Sequence, residues 1–210
     1  MGDRDAGRPR FLVLEGIDGS GKSSQVERLA RWLRDAGREV VTCRDPGATA
    51  AGDAIRQILL HRAEIPLSPT TEMLLYMAAR AELVAGVIRP ALTAGAWVLS
   101  DRFLLSNIVY QGHAGGLDPE AIRRVGAVAT AGVEPDLVLL LDIDPALAGA
   151  RLDRALDRLE SRGDDYKRRV HAGYLREAAA APERVVVIDA SGDQDAVAAR
   201  LRAAVTARFG

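Results

Sequence analysis

Along the chain, short runs of apolar and β-branched residues alternate with longer stretches in which apolar positions recur every three or four residues. The runs "RFLVLE" (10–15), "REVVTC" (38–43), "AWVLSD" (96–101), "DLVLLLDI" (136–143) and "RVVVID" (184–189) read as strands. Most of them lack polar alternation, so both faces of their sheet are expected to lie under helices. The stretches between them predict helices near 22–36, 50–61, 69–94, 103–112, 119–131, 145–158, 164–180 and 193–208. Three helices open on a capping residue and a proline, Ser68-Pro69, Asp118-Pro119 and Asp144-Pro145. The cap accepts from orphan N–H groups of the first turn, and the proline presets its φ. Strands alternating with helices predict an α/β fold with parallel strands and crossover helices, as one domain over residues 1–210.

Composition narrows the class. The chain has 210 residues, 48% of them apolar, and a formal net charge of −1 from 28 basic and 29 acidic side chains. That is enough apolar material for one substantial core, with no global field to draw in nucleic acid or an anionic membrane. Neither partner is expected. The lone cysteine, Cys43, has no mate for an internal disulfide. No apolar run reaches the roughly 18 residues of a membrane span, and the chain's start shows no apolar signal region, so a cytoplasmic location is expected. His61, His113 and His171 are scattered without metal-ligand spacing.

The chemistry concentrates at the end of the first strand. "GIDGSGKS", Gly16 to Ser23, fills every fixed position of G-x-x-x-x-G-K-[ST] between an apolar strand and an amphipathic helix, which makes it a P-loop. Its glycines let successive N–H groups point inward, and the helix that follows adds its positive end, so the turn cradles phosphate oxygens. Lys22 is one of two lysines in a chain that otherwise uses arginine. A compact ammonium fits between β- and γ-phosphates where a planar guanidinium offers another geometry. Ser23 supplies a hydroxyl for Mg²⁺.

Three further features involve charge. Asp101 and Arg102 follow the apolar run "AWVL" at a strand's carboxyl end, where open α/β sheets bind ligands. The acid can hold Mg²⁺ through water and the arginine can grip a phosphate; a local ion pair is the plainer reading. Arg80 falls on the apolar stripe of Met73, Tyr76, Met77, Val84 and Val87, where it needs an anionic partner, and periodicity alone favours an internal salt bridge or a snorkelling side chain. The charge-dense "ARLDRALDRLESRGDDYKRR" (150–169) fits a solvated helical face and equally a lid that closes arginines over a transferring phosphoryl group.

Taken in order, "LEGIDGSGKSSQ", "RDPGAT", "LLYMAARAELVAGVIRPAL", "SDRFLLSNIVYQG" and "DRLESRGDDYKRRVHAGYL" resemble bacterial thymidylate kinase from about Phe11 to Ser191. The resemblance implies a three-layer α/β/α P-loop fold with a five-stranded parallel sheet and a mobile lid at about 150–165. It also implies transfer of the ATP γ-phosphoryl group to dTMP, with Mg²⁺ held at Ser23 and Asp101, in a homodimer. ATP would lie on Gly16, Ile17, Asp18, Gly19, Ser20, Gly21, Lys22, Ser23 and Ser24, with Arg151 against adenine and the 189–194 turn bordering it. Asp18, Arg56, Arg80 and Arg102 would surround dTMP, with Tyr76 stacking on thymine, Asn107 beside the base and Tyr110 near C2′ of the deoxyribose. The catalytic set would be Lys22, Arg102 and Asp18. Arg154 and Arg158 of the lid would join them, because no arginine stands in the P-loop. The chain departs from the family pattern at Asp45, usually glutamate, at Ala48, usually glycine, and at Glu82, where glutamine is common. A kinase for another nucleoside monophosphate is the alternative, against which Asn107 and Tyr110 argue. A GTPase is disfavoured because no N-K-x-D motif occurs.

Overall fold

The computed structural model describes residues 8–62, 64–151, 158 and 162–210. Its strands are β1 (Phe11–Gly16), β2 (Val40–Arg44), β3 (Trp97–Asp101), β4 (Leu137–Asp142) and β5 (Val185–Asp189), each within two residues of its predicted run. They form one parallel sheet in the order β2-β3-β1-β4-β5. Leu12 and Leu14 of β1 sit in register with Leu137 and Leu139 of β4, and all four are fully buried. That burial is why these strands show no polar alternation.

The helices are α1 (Lys22–Asp35), α2 (Ala50–Arg56), α3 (Pro69–Leu83), α4 (Arg89–Thr93), α5 (Leu104–Asn107), α6 (Pro119–Thr130), α7 (Pro145–Ala150), α8 (Asp164–Ala180) and α9 (Gln194–Phe209). The three proline-led starts all hold, with Ser68, Asp118 and Asp144 accepting from N–H groups of their own first turns. Three of the predicted helices change pitch. Wider π-helical turns at Gln57–His61, Val84–Ile88 and Ile108–His113 follow α2, α3 and α5. The predicted helix 145–158 begins as α7, but 152–157 lie outside the described residues.

The strand order places the working end. From β1 the chain builds β2 and β3 on one side, then returns to build β4 and β5 on the other. Connections that leave in opposite directions open a crevice at the carboxyl ends of the central strands, and the turn after β1 lies there.

Candidate active site

That turn needs glycine at two positions. A Cβ on Gly16, with φ 143°, would sit 2.7 Å from the Leu141 carbonyl oxygen, and one on Gly19, with φ 84°, would sit 2.1 Å from that of Ala148. The loop closes on itself with Lys22 inside it. The lysine Nζ donates to the carbonyls of Gly16 (3.0 Å) and Ile17 (2.9 Å) and lies 3.9 Å from the Asp18 carboxylate. Burial, with Arg102 nearby, pushes the Lys22 ammonium down from its ordinary value, against the pull of Asp18, Asp101 and Glu15. Ser23, next on α1, donates from its hydroxyl to Asp101 Oδ2 at 2.7 Å. Two side-chain oxygens thus meet where the P-loop helix faces the end of β3.

Arg102, just past β3, adopts φ 71°. Ser100 Oγ donates to its carbonyl (2.7 Å) and its own N–H donates to the Leu14 carbonyl (3.0 Å), which holds this left-handed turn. The turn aims the guanidinium across the crevice, where it pairs with Asp18 and donates to the hydroxyls of Tyr110 (3.1 Å), Ser106 (3.0 Å) and Tyr174 (3.0 Å). Tyr110 in turn donates to the second oxygen of Asp18 at 3.0 Å. Burial alone would raise the Asp18 carboxyl. Arg102 and then Lys22 override it, and they hold the group well below the usual carboxylate range.

Beneath this pair lies a residue that the sequence reading left without a role. Glu15, fully buried at the end of β1, accepts from the backbone N–H groups of Phe103 and Ser106, from Ser106 Oγ and from the Tyr174 hydroxyl. It joins β1, α5 and α8 under Arg102. A carboxylate closing an otherwise apolar strand was the signal for it, and Tyr174 lay in the quoted "HAGYL" without a partner to suggest its use.

Asp18 to Ser24, Arg56, Tyr76, Arg80, Asp101, Arg102, Asn107, Tyr110 and Arg151 all line one cavity of about 810 Å³. Gly16 and Ile17 form the base of the loop under it. At one end, Arg151 donates to the carbonyls of Ala190 (3.1 Å), Ser191 (3.2 Å) and Gly192 (3.4 Å), tying the 189–194 turn to the cavity's edge. At the other, Arg56 donates to the Pro46 carbonyl (2.9 Å), and Arg80 is an internal ion-pair member as its periodicity suggested, donating to Asp45 at 2.6 Å. It lines the cavity as well. Gln25, Arg44, Ser106, Gln111 and Gln194 also line it, unsuspected from spacing because each comes from a different element.

The segment expected to form a lid falls largely outside the described residues. Arg154 lies outside the described residues. Arg158 is away from the cavity, donating to the carbonyls of Arg62 (2.6 Å) and Ile65 (2.8 Å) in the segment before α3. On α8, Asp164 and Asp165 pair with Lys167 and Arg168, the solvated-face arrangement, for that part of the charge run.

Comparison with known proteins gives one answer. The Thymidylate kinase family model matches residues 14–201. A thymidylate kinase from Bifidobacterium longum is 48% identical over 190 residues, covering 89% of this chain and 92% of its own. One from Pelotomaculum thermopropionicum is 49% identical over 185 residues, 87% of this chain and 86% of its own. The crystal structure of thymidylate kinase from Ehrlichia chaffeensis superposes with a TM-score of 0.78 at 28% identity, covering 94% of this chain and 99% of that one.

Proposed function

The chain belongs to the thymidylate kinase family and phosphorylates dTMP to dTDP; from that premise we propose that ATP is the donor, bound on the P-loop with Mg²⁺, and that dTMP occupies the end of the cavity lined by Arg56, Tyr76, Arg80, Asn107 and Tyr110. The observation that carries this reading is Arg102. Its strained turn sets a guanidinium in the cavity, paired with Asp18 of the P-loop and with Tyr110, a position that supports a role towards the phosphates of both nucleotides.

Roles follow from position. Lys22 meets charge on the β- and γ-phosphates, and Arg102 meets it on the acceptor phosphate and the transferring group. Asp18, kept anionic by Arg102 and Lys22, orients both cations. Ser23 and Asp101 fit a hard divalent cation, since both offer oxygen 2.7 Å apart at the phosphate cradle. When bound, such an ion neutralises phosphate charge. Arg151 with the 189–194 turn suits adenine. Arg154 and Arg158 remain the proposed lid arginines, in a segment of about 150–165 belonging to a single kinase domain; Arg158 would have to leave the Arg62 and Ile65 carbonyls to act. We also propose a cytoplasmic homodimer; no described helix is long and apolar enough to cross a membrane.

The test is ADP release from ATP with and without dTMP and Mg²⁺. Turnover is expected only with all three, and Lys22→Ala is expected to lose about 3–4 kcal/mol of transition-state stabilisation, as removal of one electrostatic donor does. ATP turnover at equal rates without any monophosphate would overturn the reading.

A further inference from the structure

Glu15 reaches Arg102 through two hydroxyls. The carboxylate is fully buried and stands behind the cavity wall rather than in its lining. Oε1 accepts from the N–H groups of Phe103 (2.9 Å) and Ser106 (3.2 Å), and Oε2 accepts from Ser106 Oγ (2.6 Å) and the Tyr174 hydroxyl (2.8 Å). Those two hydroxyls lie 2.9 Å apart, and each accepts from Nη1 of Arg102 at 3.0 Å. Nη2 of the same guanidinium goes to Asp18 and Tyr110. Burial pushes the Glu15 carboxyl up from its ordinary value, against the pull of Arg102, Ser106, Phe103 and Tyr174. Its oxygens meet four donors, the arrangement that suits a carboxylate.

The two hydroxyls have little choice of direction. Each has one hydrogen and cannot turn it towards a guanidinium, which only donates. That leaves Glu15 Oε2 or the other hydroxyl, and the two cannot donate to each other at once. At least one hydrogen therefore goes to Glu15, and both oxygens face Nη1 as acceptors.

We infer that Glu15, which lies behind the substrate cavity, is a positioning residue for the acceptor phosphate: by taking hydroxyl hydrogen it makes Ser106 and Tyr174 the acceptors that hold Nη1, and so fixes Arg102 where it meets the phosphate of dTMP. This rests on the role proposed for Arg102.

Glu15→Gln keeps the shape and removes the acceptor. The amide must turn its oxygen to the N–H groups of Phe103 and Ser106, which sets its nitrogen against the two hydroxyls. Both hydroxyls then have donors on two sides, and one of their hydrogens is left competing with Nη1 for space. The reverse turn is no better, since it sets an amide N–H against two backbone N–H groups.

Affinities of dTMP and thymidine, measured by titration calorimetry, separate positioning from general support of the pocket, because thymidine has the same base and sugar but no phosphate for Arg102 to meet. E15Q should weaken dTMP about tenfold, the scale of one hydrogen bond to a charged group, and leave thymidine within about twofold. Added to Arg102→Ala, E15Q should cost dTMP less than about twofold more, since the side chain through which it acts is gone. Unchanged dTMP affinity in E15Q, equal weakening of both ligands, or a full tenfold further loss in the R102A background would overturn the inference and leave the role of Arg102 standing. If R102A kept the wild-type ratio of dTMP to thymidine affinity, the role proposed for Arg102 would fall and the inference with it. Should E15Q not fold, the Ser106→Ala, Tyr174→Phe double variant removes both hydroxyls instead; it must weaken dTMP and spare thymidine, and if it does not, the inference is equally lost.

Discussion

Arg102 holds a backbone conformation that costs a non-glycine residue about 1–2 kcal/mol, and strain of this kind persists where the surroundings over-determine it. Here Ser100, Leu14, Asp18 and three hydroxyls do so. Tyr110 is the hydroxyl shared between Arg102 and Asp18, so its ring and its oxygen have separate uses. Tyr110→Phe is expected to lower kcat about tenfold, on the scale of losing a hydrogen bond to charged groups, while discrimination against ribosylthymine monophosphate survives. Tyr110→Ala should lower kcat and also relax that discrimination, measured as the ratio of kcat/KM values; wild-type selectivity in Y110A would remove the ring from the sugar subsite. Asp18 adds a dependence on pH. Its folded-state carboxyl titrates below its unfolded value near 4, so its pairing stabilises the fold fully above that pH and is lost as pH falls from there through the lower folded-state value. The Tm difference between wild type and Asp18→Asn should therefore be largest near pH 6 and shrink below about pH 4. A difference that grew on acidification would contradict the pairing.

At the scale of elements, every strand and the three capped, proline-led helix starts were legible, because apolar runs, caps and prolines act on their immediate neighbours. The π-helical turns were not. A wider turn costs hydrogen-bond geometry and is imposed by packing against other elements, which no local pattern records. For the same reason the P-loop was readable as a motif, whereas Glu15, Gln111 and Tyr174 were not readable as its surroundings: three elements contribute them. The alanine at 48, where the resembling family carries glycine, sits at φ 63°, so the structure explains the family's choice and shows this chain carrying strain there. Ala131 does the same at the end of α6, with φ 47° and an exposed side chain. Left-handed alanine costs about 1–2 kcal/mol and glycine's extra unfolded-state freedom recovers only part of the gain from replacing it. Ala131→Gly should thus stabilise by about 0.5–1 kcal/mol, raising Tm by about 1–4 °C for a chain of this length, with kcat unchanged. A lowered Tm would mean that this cap is not strained.

For the whole molecule, the strand order decides how two nucleotides meet. Because the connections diverge at β1, one cleft runs from the 189–194 turn past the P-loop to Tyr76 and Asn107, and on the proposed placement both substrates share it. A phosphorylated-enzyme route would need a nucleophile in that cleft able to wait for the second substrate. Among the described lining residues there is no histidine or cysteine. Of its carboxylates, Asp18 is held by Arg102 and Tyr110, Asp45 by Arg80, Asp101 accepts from Ser23 at the proposed metal site, and Asp193 caps α9 by accepting from the Ala196 N–H. What the cleft supplies instead is cations and donors on both sides of the transfer point, which serve positioning and charge stabilisation when donor and acceptor are present together. Transfer should accordingly be direct. Initial rates measured over a grid of ATP and dTMP concentrations should give intersecting reciprocal plots, and protein incubated with isotopically labelled ATP and Mg²⁺, but no dTMP, should carry no label after denaturation. Parallel plots, or label on the protein, would require a nucleophile that this arrangement does not present.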